Sequence, residues 1–418
     1  MFKLNLIQKL KKQFFPFYKN KEIKIVFKKL QENSSDKSEI AMFVGGCVRK
    51  YLTGKKIDDI DIATILTTDQ IKEKFENTKF RIIDSGIKHG TVTLISEKLK
   101  LEITTLRKDK ETDGRHAEIE YTNNWQEDSN RRDFTINAIY LNSNGKIFDP
   151  QSGMSDLKNN NVKFIGDPNK RINEDYLRII RFIRFSIEYK CKPEKTTIDS
   201  IKVNLDGIKN ISKERILIEL FKIIKSENFY QIVNDIELKK IFLLIFPEFE
   251  NLNRLIRLSE IKINKISNRD LILAILLIDE KNNQEYFCHK YNVSNELKKK
   301  LNLFSSNYFK FKNDKNFFEK DLKKNIFQFG KEHLSELNTL NFLENKKNNK
   351  AKYLRIHKEI YHSSIPKFPF DGSYLKKKGI KEGEVIGKIL GSLKNEWLNN
   401  NFKITDQKVI QIIKKYEV

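Results

Sequence analysis

The chain has few cysteines and no long apolar run, and both shortages exclude classes of protein. Its three cysteines, Cys47, Cys191 and Cys288, lie too far apart for a paired metal motif or a disulfide framework. No stretch of about 18 apolar residues occurs, so no membrane span is expected. The first ten residues lack a continuous apolar segment, so a secretory signal is not expected either. We therefore expect a cytoplasmic protein in a reducing compartment.

Histidine is also scarce, and basic residues outnumber acidic ones. The six histidines are scattered, and no His-Asp pair suggests a phosphohydrolase. Lysine and arginine number 80 against 56 acidic residues, which gives a net charge of +24. Such an excess indicates a polyanionic partner such as nucleic acid, or a membrane surface. The abundance of Lys, Asn, Ile and Phe is also typical of an AT-rich genome, so charge alone does not decide between these interpretations.

Strand and helix signals occupy different parts of the chain. From Glu174 onward, apolar residues recur at three- and four-residue spacing, which predicts helices. Before that, short alternating runs predict the strands of a mixed or antiparallel sheet, at residues 40–44, 59–64, 80–84, 91–94, 101–106 and 135–141. The prediction is an α+β protein with four parts: a helical extension (1–37, broken near Pro16), a sheet-containing head (38–150), a helical neck (151–225), and a helical body and tail (226–418).

Two motifs in the head indicate phosphate and metal chemistry. Gly45 and Gly46 end a predicted strand, and a backbone without Cβ atoms lets a phosphate come close. The N-terminus of the next helix and Arg49 add positive charge there. Asp59 and Asp61 alternate along the next strand and share one face, where two carboxylates suit Mg²⁺ ions that hold a nucleoside triphosphate. An ordinary strand-to-helix turn is the alternative for the glycines.

Three polar residues are concentrated at the entrance of the last predicted strand. Arg132 is predicted to bind the triphosphate, and Asp133 and Asn137 to organise the pocket. An Arg–Asp ion pair that caps a strand is the structural alternative, of little energetic value if it is exposed. On an earlier strand, Glu102 is a candidate third catalytic carboxylate, or an exposed strand residue.

An arginine-rich segment opens the helical part of the chain. Over a predicted helix at residues 173–185, Asp175, Arg178, Arg181 and Arg184 recur every three residues and trace one stripe. Like charges at this spacing repel one another, and a bound anion would remove the repulsion. A solvated basic face is the alternative.

In their order and spacing these motifs resemble the family of class II tRNA nucleotidyltransferases and bacterial poly(A) polymerases, whose head resembles the DNA polymerase β superfamily. The resemblance spans residues 43–220, about half of the chain. It is carried by Gly45-Gly46-x-Val48-Arg49, Leu52-x-Gly54, Asp59-x-Asp61-x-Ala63-Thr64, Arg131-Arg132-Asp133-Phe134-Thr135-Ile136-Asn137-Ala138, Asp149-Pro150-x-x-Gly153-x-x-Asp156-Leu157, Glu174-Asp175-x-x-Arg178-x-x-Arg181-x-x-Arg184-Phe185 and Glu214-Arg215-Ile216-x-x-Glu219-Leu220.

The resemblance implies roles for these residues. Asp59 and Asp61 would hold Mg²⁺ and activate the 3′-hydroxyl of the primer, and Asp175 and Arg178 would read the incoming base. The nucleotide site would comprise Gly45, Gly46, Arg49, Arg132, Asp133, Asn137, Asp175, Arg178, Arg181 and Arg184. The head would be catalytic, the neck would recognise the base, and the body and tail would bind tRNA. Lys50 departs from the family, which usually has Asp there, so an ion pair is expected to be lost while the metal site stays intact.

Within the family, CCA addition to tRNA from CTP and ATP is the leading prediction. Tyr176 follows the Glu-Asp pair where poly(A) polymerases tend to have Pro. Residues 107–125, with Asp113-Gly114-Arg115, resemble the flexible loop of members that add the terminal A. The alternatives are a poly(A) polymerase that extends RNA with ATP, and an inactive RNA-binding module. The oligomeric state is left open.

Overall fold

The computed structural model describes residues 16–32, 39–86, 90–112, 117–261, 268–314, 316–344, 349–380 and 383–416. The chain forms two compact units. The first comprises Met1–Glu250 with Asn264–Arg269 and His289–Asn292, and the second comprises Asn251–Ile263, Asp270–Cys288 and Val293–Val418. The predicted boundaries near residues 37, 150 and 225 lie within the first unit and stay predictions.

The described residues of the first unit contain nine strands. They are β1 (Ala41–Val44), β2 (Ile60–Thr64), β3 (Arg81–Gly86), β4 (Thr91–Ile95), β5 (Lys100–Thr105), β6 (Arg107–Thr112), β7 (Ala117–Tyr121), β8 (Tyr140–Leu141) and β9 (Ile147–Phe148). Seven of them form one sheet in the order β3-β4-β5-β2-β1-β8-β9, and β6 pairs with β7 in a separate hairpin. Only β2 and β5 run parallel within the seven-stranded sheet. The sheet is therefore mixed, as predicted.

One predicted strand in this region needs correction. The predicted strand at residues 135–141 begins instead with a 3₁₀ turn, Thr135–Asn137, and only Tyr140–Leu141 pairs. The Asp133 carboxylate accepts from the Phe134 N–H and from the Asn137 side chain, and such local bonds favour a turn over a ladder. The loop expected over residues 107–125 contains the β6–β7 hairpin. Its Asp113-Gly114-Arg115 motif lies outside the described residues.

The helices of the first unit cover the sheet and form the predicted neck. They are α1 (Lys21–Gln31), α2 (Gly46–Thr53), α3 (Thr68–Phe75), α4 (Trp125–Asn130), α5 (Gly153–Lys158), α6 (Pro168–Glu174), α7 (Leu177–Tyr189), α8 (Lys195–Val203), α9 (Lys213–Ile224) and α10 (Ile236–Ile245). Asn20 caps α1 by accepting from the Glu22 N–H at 2.9 Å. The predicted apolar face of α1 is buried at Val26, Phe27 and Leu30. Phe14, Phe15 and the rest of residues 1–15 lie outside the described residues.

The chain after residue 250 is helical, as predicted. The helices are α11 (Arg254–Leu258), α12 (Arg269–Leu277), α13 (Asn283–Tyr291), α14 (Asn295–Asn313), α15 (Leu322–Phe329), α16 (Lys331–Glu344), α17 (Lys350–His362), α18 (Gly372–Lys377), α19 (Glu384–Asn399) and α20 (Asp406–Lys414). Buried Arg254 donates to the carbonyls of Ile275 and Ile278 at 2.9 and 2.7 Å, which satisfies the end of α12. Leu375, Leu393 and Val409 belong to an apolar core that joins α18, α19 and α20. Among the described helices, none is long and apolar enough to cross a membrane.

Candidate active site

The glycine turn lies between β1 and α2. Gly45 has φ +70° and ψ −125°, a conformation that favours glycine, and Gly46 is the first residue of α2. A Cβ atom on Gly45 or Gly46 would lie 3.6 or 3.8 Å from Asp61 Oδ2. The bare backbone and the N-terminus of α2 therefore lie beside one carboxylate of the predicted metal pair, where a phosphate can come close.

Asp61 is the more buried member of the aspartate pair. It is partly buried in β2, whereas Asp59 lies just before the strand and is exposed. The parallel pairing of β2 with β5 puts Glu102 beside Asp61. Burial first, and then the charge of Glu102, raises the pKa of Asp61, although Arg132 and Arg49 act in the opposite direction.

The three carboxylates, those of Asp59, Asp61 and Glu102, differ in whether they have a protein partner. Lys100 Nζ lies 2.8 Å from Glu102 Oε1. Within the described residues, the carboxylates of Asp59 and Asp61 have no hydrogen bond or ion pair to a protein group. In the same residues, no group of three or more histidine, cysteine or acidic side chains is arranged to hold a metal ion. Asp59 and Asp61 thus have no cation partner from the described part of the protein, and their role as metal ligands stays a prediction.

Arg49 connects α2 to the neck helix α7. Its Nε donates to Tyr189 Oη at 3.1 Å, and its Nη1 donates to Asn137 Oδ1. Its guanidinium lies 4.7 Å from the centre of the Phe185 ring. Because the protein occupies two of its donor atoms, the guanidinium of Arg49 is fixed in orientation.

Asp133 joins the head to α7 through an ion pair. Its Oδ2 lies 2.7 Å from Arg181 Nη2, and its Oδ1 accepts from Asn137 Nδ2 at 2.5 Å. Burial alone would raise the pKa of Asp133, but Arg181 and Asn137 outweigh it and lower the pKa to about 2. Asp133 therefore stays ionised and holds Arg181 in place.

Asp128 is a candidate site residue, through its contacts with two cavity arginines, that the sequence analysis did not predict. It is fully buried, and its Oδ1 and Oδ2 lie 2.6 Å from Arg131 Nη2 and 2.8 Å from Arg132 Nη2. Tyr140 Oη also donates to Oδ2 at 2.7 Å. Burial opposes ionisation, but the two arginines hold the pKa of Asp128 well below its usual range. The helical spacing of Asp128 from the two arginines is the signal that could have revealed it.

The predicted single helix at residues 173–185 is wrong, because Asp175 interrupts it. α6 ends at Glu174, Asp175 is extended with φ −159° and ψ 103°, and α7 begins at Leu177. Asp175 Oδ1 accepts from the Leu177 N–H at 3.1 Å, so the side chain replaces a helical backbone partner. The arginine stripe on α7 therefore consists of Arg178, Arg181 and Arg184.

Arg178 is oriented by α6. Its Nη1 contacts Glu174 Oε2 and donates to the Arg171 carbonyl at 2.7 Å. Arg171 pairs with Glu174 at 2.7 Å and donates to the Arg132 carbonyl at 2.6 Å. The guanidinium predicted to read the base is thus held by the protein itself, which is the preorganisation that selective recognition needs.

Arg184 lies among other guanidinium groups. Its guanidinium lies 4.2 Å from the centre of the Phe185 ring, which Arg49 and Arg181 also approach at 4.7 and 5.7 Å. Buried Glu219 lies 3.1 Å from Arg184 Nε. Burial first, together with the charges of Arg181 and Arg49, lowers the pKa of Arg184 to about 10 although Glu219 opposes this. A bound anion would stabilise this cluster.

These side chains meet around one cavity of about 490 Å³. Eight arginines line it: Arg49, Arg107, Arg131, Arg132, Arg178, Arg181, Arg184 and Arg215. The other lining residues are Gly45, Gly46, Asp61, Asp133, Asn137, Asp175, Leu177 and Phe185. The structure therefore brings together every predicted nucleotide-binding residue and Asp61, whereas Asp59 and Glu102 are not among the lining residues. The roles of all these residues stay predictions.

Lys50 has an ion pair of its own. Its Nζ lies 3.1 Å from Asp58 Oδ2, and the two side chains are 29% and 55% exposed. The family resemblance implies an acidic residue at this position. This chain has a cation there instead, and the cation pairs with Asp58. Neither residue lines the cavity.

Family models match two parts of the chain. Residues 41–163 match the poly A polymerase head domain. Residues 192–252 match the model described as the probable RNA and SrmB-binding site of polymerase A.

Individual relatives match much more of its length. The chain is 33% identical over 400 residues to the mitochondrial CCA tRNA nucleotidyltransferase 1 of Mus musculus, which covers 93% of this chain and 89% of the relative. It is 35% identical over 286 residues to the CCA-adding enzyme of Staphylococcus haemolyticus, which covers 68% of each. The crystal structure of the Bacillus stearothermophilus CCA-adding enzyme in complex with CTP matches with a TM-score of 0.69 at 22% identity, over 93% of this chain and 95% of that one. The likeness in fold confirms the predicted α+β architecture.

Proposed function

The chain belongs to the family of CCA-adding enzymes, the CCA tRNA nucleotidyltransferases, and we propose that it adds C, C and A to the 3′ end of tRNA from CTP and ATP. The observation that carries the proposal is the composition of the cavity. Eight arginines and three aspartates line it, and this excess of positive charge suits a triphosphate. No nucleic acid template is required if protein side chains read the base.

The triphosphate would bind among the arginines of α2, α7 and the segment before the 3₁₀ turn. Arg49, Arg132 and Arg184 all line the cavity, and the protein orients each of them through other side chains. Burial first, and then the charges of Arg181 and Arg49, lower the pKa of Arg184 although Glu219 opposes this, so further negative charge would stabilise the cluster. Phosphate oxygens would supply that charge without reorganisation of the protein.

Asp175 and Arg178 would choose the base. A carboxylate accepts a hydrogen bond from the exocyclic amine of cytosine or adenine, and a guanidinium donates to an adjacent ring nitrogen or carbonyl. UTP and GTP would present an oxygen to Asp175 where CTP and ATP present an amine. A buried polar group left without a partner costs about 1–3 kcal/mol, so UTP and GTP would be rejected.

Asp59 and Asp61 would hold the metal ion. Nucleotidyltransferases of this kind depend on divalent metal ions, and we propose Mg²⁺ here because both ligands are carboxylates. Burial first, and then the charge of Glu102, raises the pKa of Asp61, and a bound cation would stabilise its ionised form. A bound Mg²⁺ would polarise the reacting oxygens and neutralise charge on the leaving pyrophosphate. Glu102 lies beside Asp61 and stays a predicted further carboxylate.

The helices of the predicted body and tail, residues 226–418, would bind tRNA. Lysines 376–378 at the end of α18 are all exposed, as expected for contacts to phosphate groups. The compartment stays a prediction, because the Mus musculus relative is named as mitochondrial whereas the sequence analysis predicts the cytoplasm.

The test is nucleotide incorporation by the purified protein with Mg²⁺ and a tRNA that ends at the discriminator base. CTP alone should add two residues, CTP with ATP should add three, and UTP or GTP should be used at least about 100-fold less efficiently. A long A tract would identify a poly(A) polymerase instead. No transfer of any nucleotide would indicate an inactive RNA-binding module.

A further inference from the structure

The carboxylate of Asp175 lies in a short link that has no helical support. The residue is extended between α6 and α7, and one of its oxygens already accepts from the Leu177 N–H. A side chain that must tell an amine from a carbonyl needs a fixed orientation, because a carboxylate that can turn away would tolerate either. Two contacts from a later segment of the neck supply that orientation.

The first contact is an ion pair with Arg215. Arg215 lies in the first turn of α9, and its Nη2 lies 2.7 Å from Asp175 Oδ2. Both residues line the cavity, and their side chains are 50% and 32% exposed. Leu177 and Arg215 thus bind different oxygens of Asp175. Each carboxylate oxygen accepts two hydrogen bonds, so Asp175 is held and can still accept from a base.

The second contact is made by Tyr176, the residue that follows Asp175. The ring of Tyr176 lies directly over Gly207, in the 3₁₀ segment Leu205–Asn210. A Cβ atom on Gly207 would lie only 2.0, 2.1 and 2.4 Å from three atoms of that ring. Tyr176 Oη donates to Asn173 Oδ1 at 2.9 Å, so the far end of the ring is held as well. Gly207 is required here because any side chain would displace Tyr176.

We propose that Arg215 and Gly207 are positioning residues for base selection, which act by fixing Asp175 and Tyr176 between α6 and α7. This inference rests on the proposed function, since it assumes that Asp175 reads the base. Arg215 and Gly207 are not assigned a direct contact with the substrate. Their loss should therefore change which base is accepted more than how tightly a triphosphate is held.

In the first experiment, the substitution Arg215→Gln removes the cation. The kcat/KM values for CTP and UTP are then measured on a tRNA that lacks CCA. We expect the CTP preference over UTP to fall about tenfold, as for a lost hydrogen bond to a charged group. The matched control is Lys72→Gln, which removes a cation from a surface ion pair with Asp84 at 2.9 Å. Lys72 does not line the cavity, so its variant should keep the wild-type preference.

A change in kcat/KM by the same factor for both nucleotides would overturn the role of Arg215. That result would mean that Arg215 supports the fold or contacts the triphosphate directly. Equilibrium binding of CTP and UTP without tRNA separates this inference from the proposed function. If wild-type protein binds CTP selectively but transfers nothing, the proposed function fails, and the loss of selective binding in Arg215→Gln still tests the inference. If wild-type protein adds C, C and A but Arg215→Gln keeps the wild-type CTP preference, the inference fails and the proposed function stands.

The second experiment tests Gly207 through a pair of variants. Gly207→Ala should lower both the Tm and the CTP preference, because the added methyl group displaces the Tyr176 ring. Adding Tyr176→Ala should restore most of the Tm by removing the overlap, while the preference stays low because Asp175 is no longer held. Gly391→Ala in α19 is the control for the Tm, since nothing beyond the neighbouring backbone of its own helix lies within 4 Å of the added carbon. An unchanged CTP preference in Gly207→Ala would overturn the role of Gly207.

Discussion

The two predicted metal-binding aspartates of the head differ from the charged side chains of the neck in their partners, although Asp128 of the head also pairs with Arg131 and Arg132. On the head side, Asp59 and Asp61 have no cation partner from the protein within the described residues, and burial beside Glu102 raises the pKa of Asp61. On the neck side, the charged side chains have protein partners of opposite sign. The pairs are Arg178 with Glu174, Arg181 with Asp133, Arg184 with Glu219, and Arg215 with Asp175.

This difference fits a division of labour between the two sides. A surface that reads a base must not rearrange when the wrong base arrives, so its donors and acceptors are held by partners within the protein. A surface that takes part in phosphoryl chemistry can leave its carboxylates without a protein cation, because a divalent cation supplies the charge when it binds. Substitutions made separately on the two sides should therefore give different phenotypes.

The largest effect is expected on the head side. Asp61→Asn keeps the shape of the side chain but removes its charge, and nucleotide transfer should fall on the order of 10³-fold. Binding of tRNA and of CTP should stay within about threefold of wild type, because the arginines of the neck are untouched. Single-turnover transfer and equilibrium binding measure the two quantities separately.

Asp58→Asn is the matched control for this variant. Asp58 lies in the same segment but is exposed, pairs with Lys50 and does not line the cavity. It should transfer nucleotides at close to the wild-type rate. If Asp61→Asn retained more than about a tenth of wild-type transfer, Asp61 would not be a metal ligand, and the contrast between the two sides would be lost.

The sequence predicted which residues line the cavity better than it predicted the contacts that orient them. Gly45, Arg49 and Asp61 were predictable because a bare turn, a cation and alternating carboxylates are local patterns with a direct chemical meaning. Their partners come from distant parts of the chain: Tyr189 is 140 residues from Arg49. No periodicity marks such a pair, because it exists only once the fold brings the two segments together.

The error at Asp175 has a partly local cause. The three-residue spacing of the arginines is helical, and the spacing of Asp175 fits the same stripe. Local hydrogen bonding decided otherwise, since the Asp175 carboxylate binds the Leu177 N–H and Arg215 lies 2.7 Å from its other oxygen. The α+β fold class depends on many residues at once and was therefore predictable despite such local errors.

An intermediate effect is expected at Asp133, whose ion pair with Arg181 joins the head to α7. Asp133→Asn would leave Arg181 without its main partner in a largely enclosed site, which should lower the free energy of unfolding by about 3 kcal/mol. This value takes account of the 29% exposure of the Arg181 side chain. Urea unfolding at neutral pH measures the change. The control Asp84→Asn, which breaks a surface ion pair, should change it by less than about 1 kcal/mol.

The same variant should change how stability depends on pH. The pKa of Asp133 is lowered from 3.8 to about 2, so its contribution is complete above about pH 4 and is lost as the pH falls towards 2. Wild-type protein should therefore lose stability over this range more steeply than Asp133→Asn. Equal slopes for the two proteins would show that Asp133 is not held as an ion in the native state.

The smallest effect is expected at Lys50, which tests whether charges outside the cavity matter at all. Lys50→Met removes an ion pair with exposed Asp58, and such pairs contribute less than about 1 kcal/mol. The unfolding free energy should change by no more than that, and the transfer rate by less than about twofold. Lys50 is adjacent to Arg49 on α2, so a disturbed helix would reveal itself as a weaker affinity for CTP. A tenfold loss of transfer would mean that the Lys50–Asp58 pair supports the geometry of the carboxylates, and that the head depends on protein cations more than its cavity residues indicate.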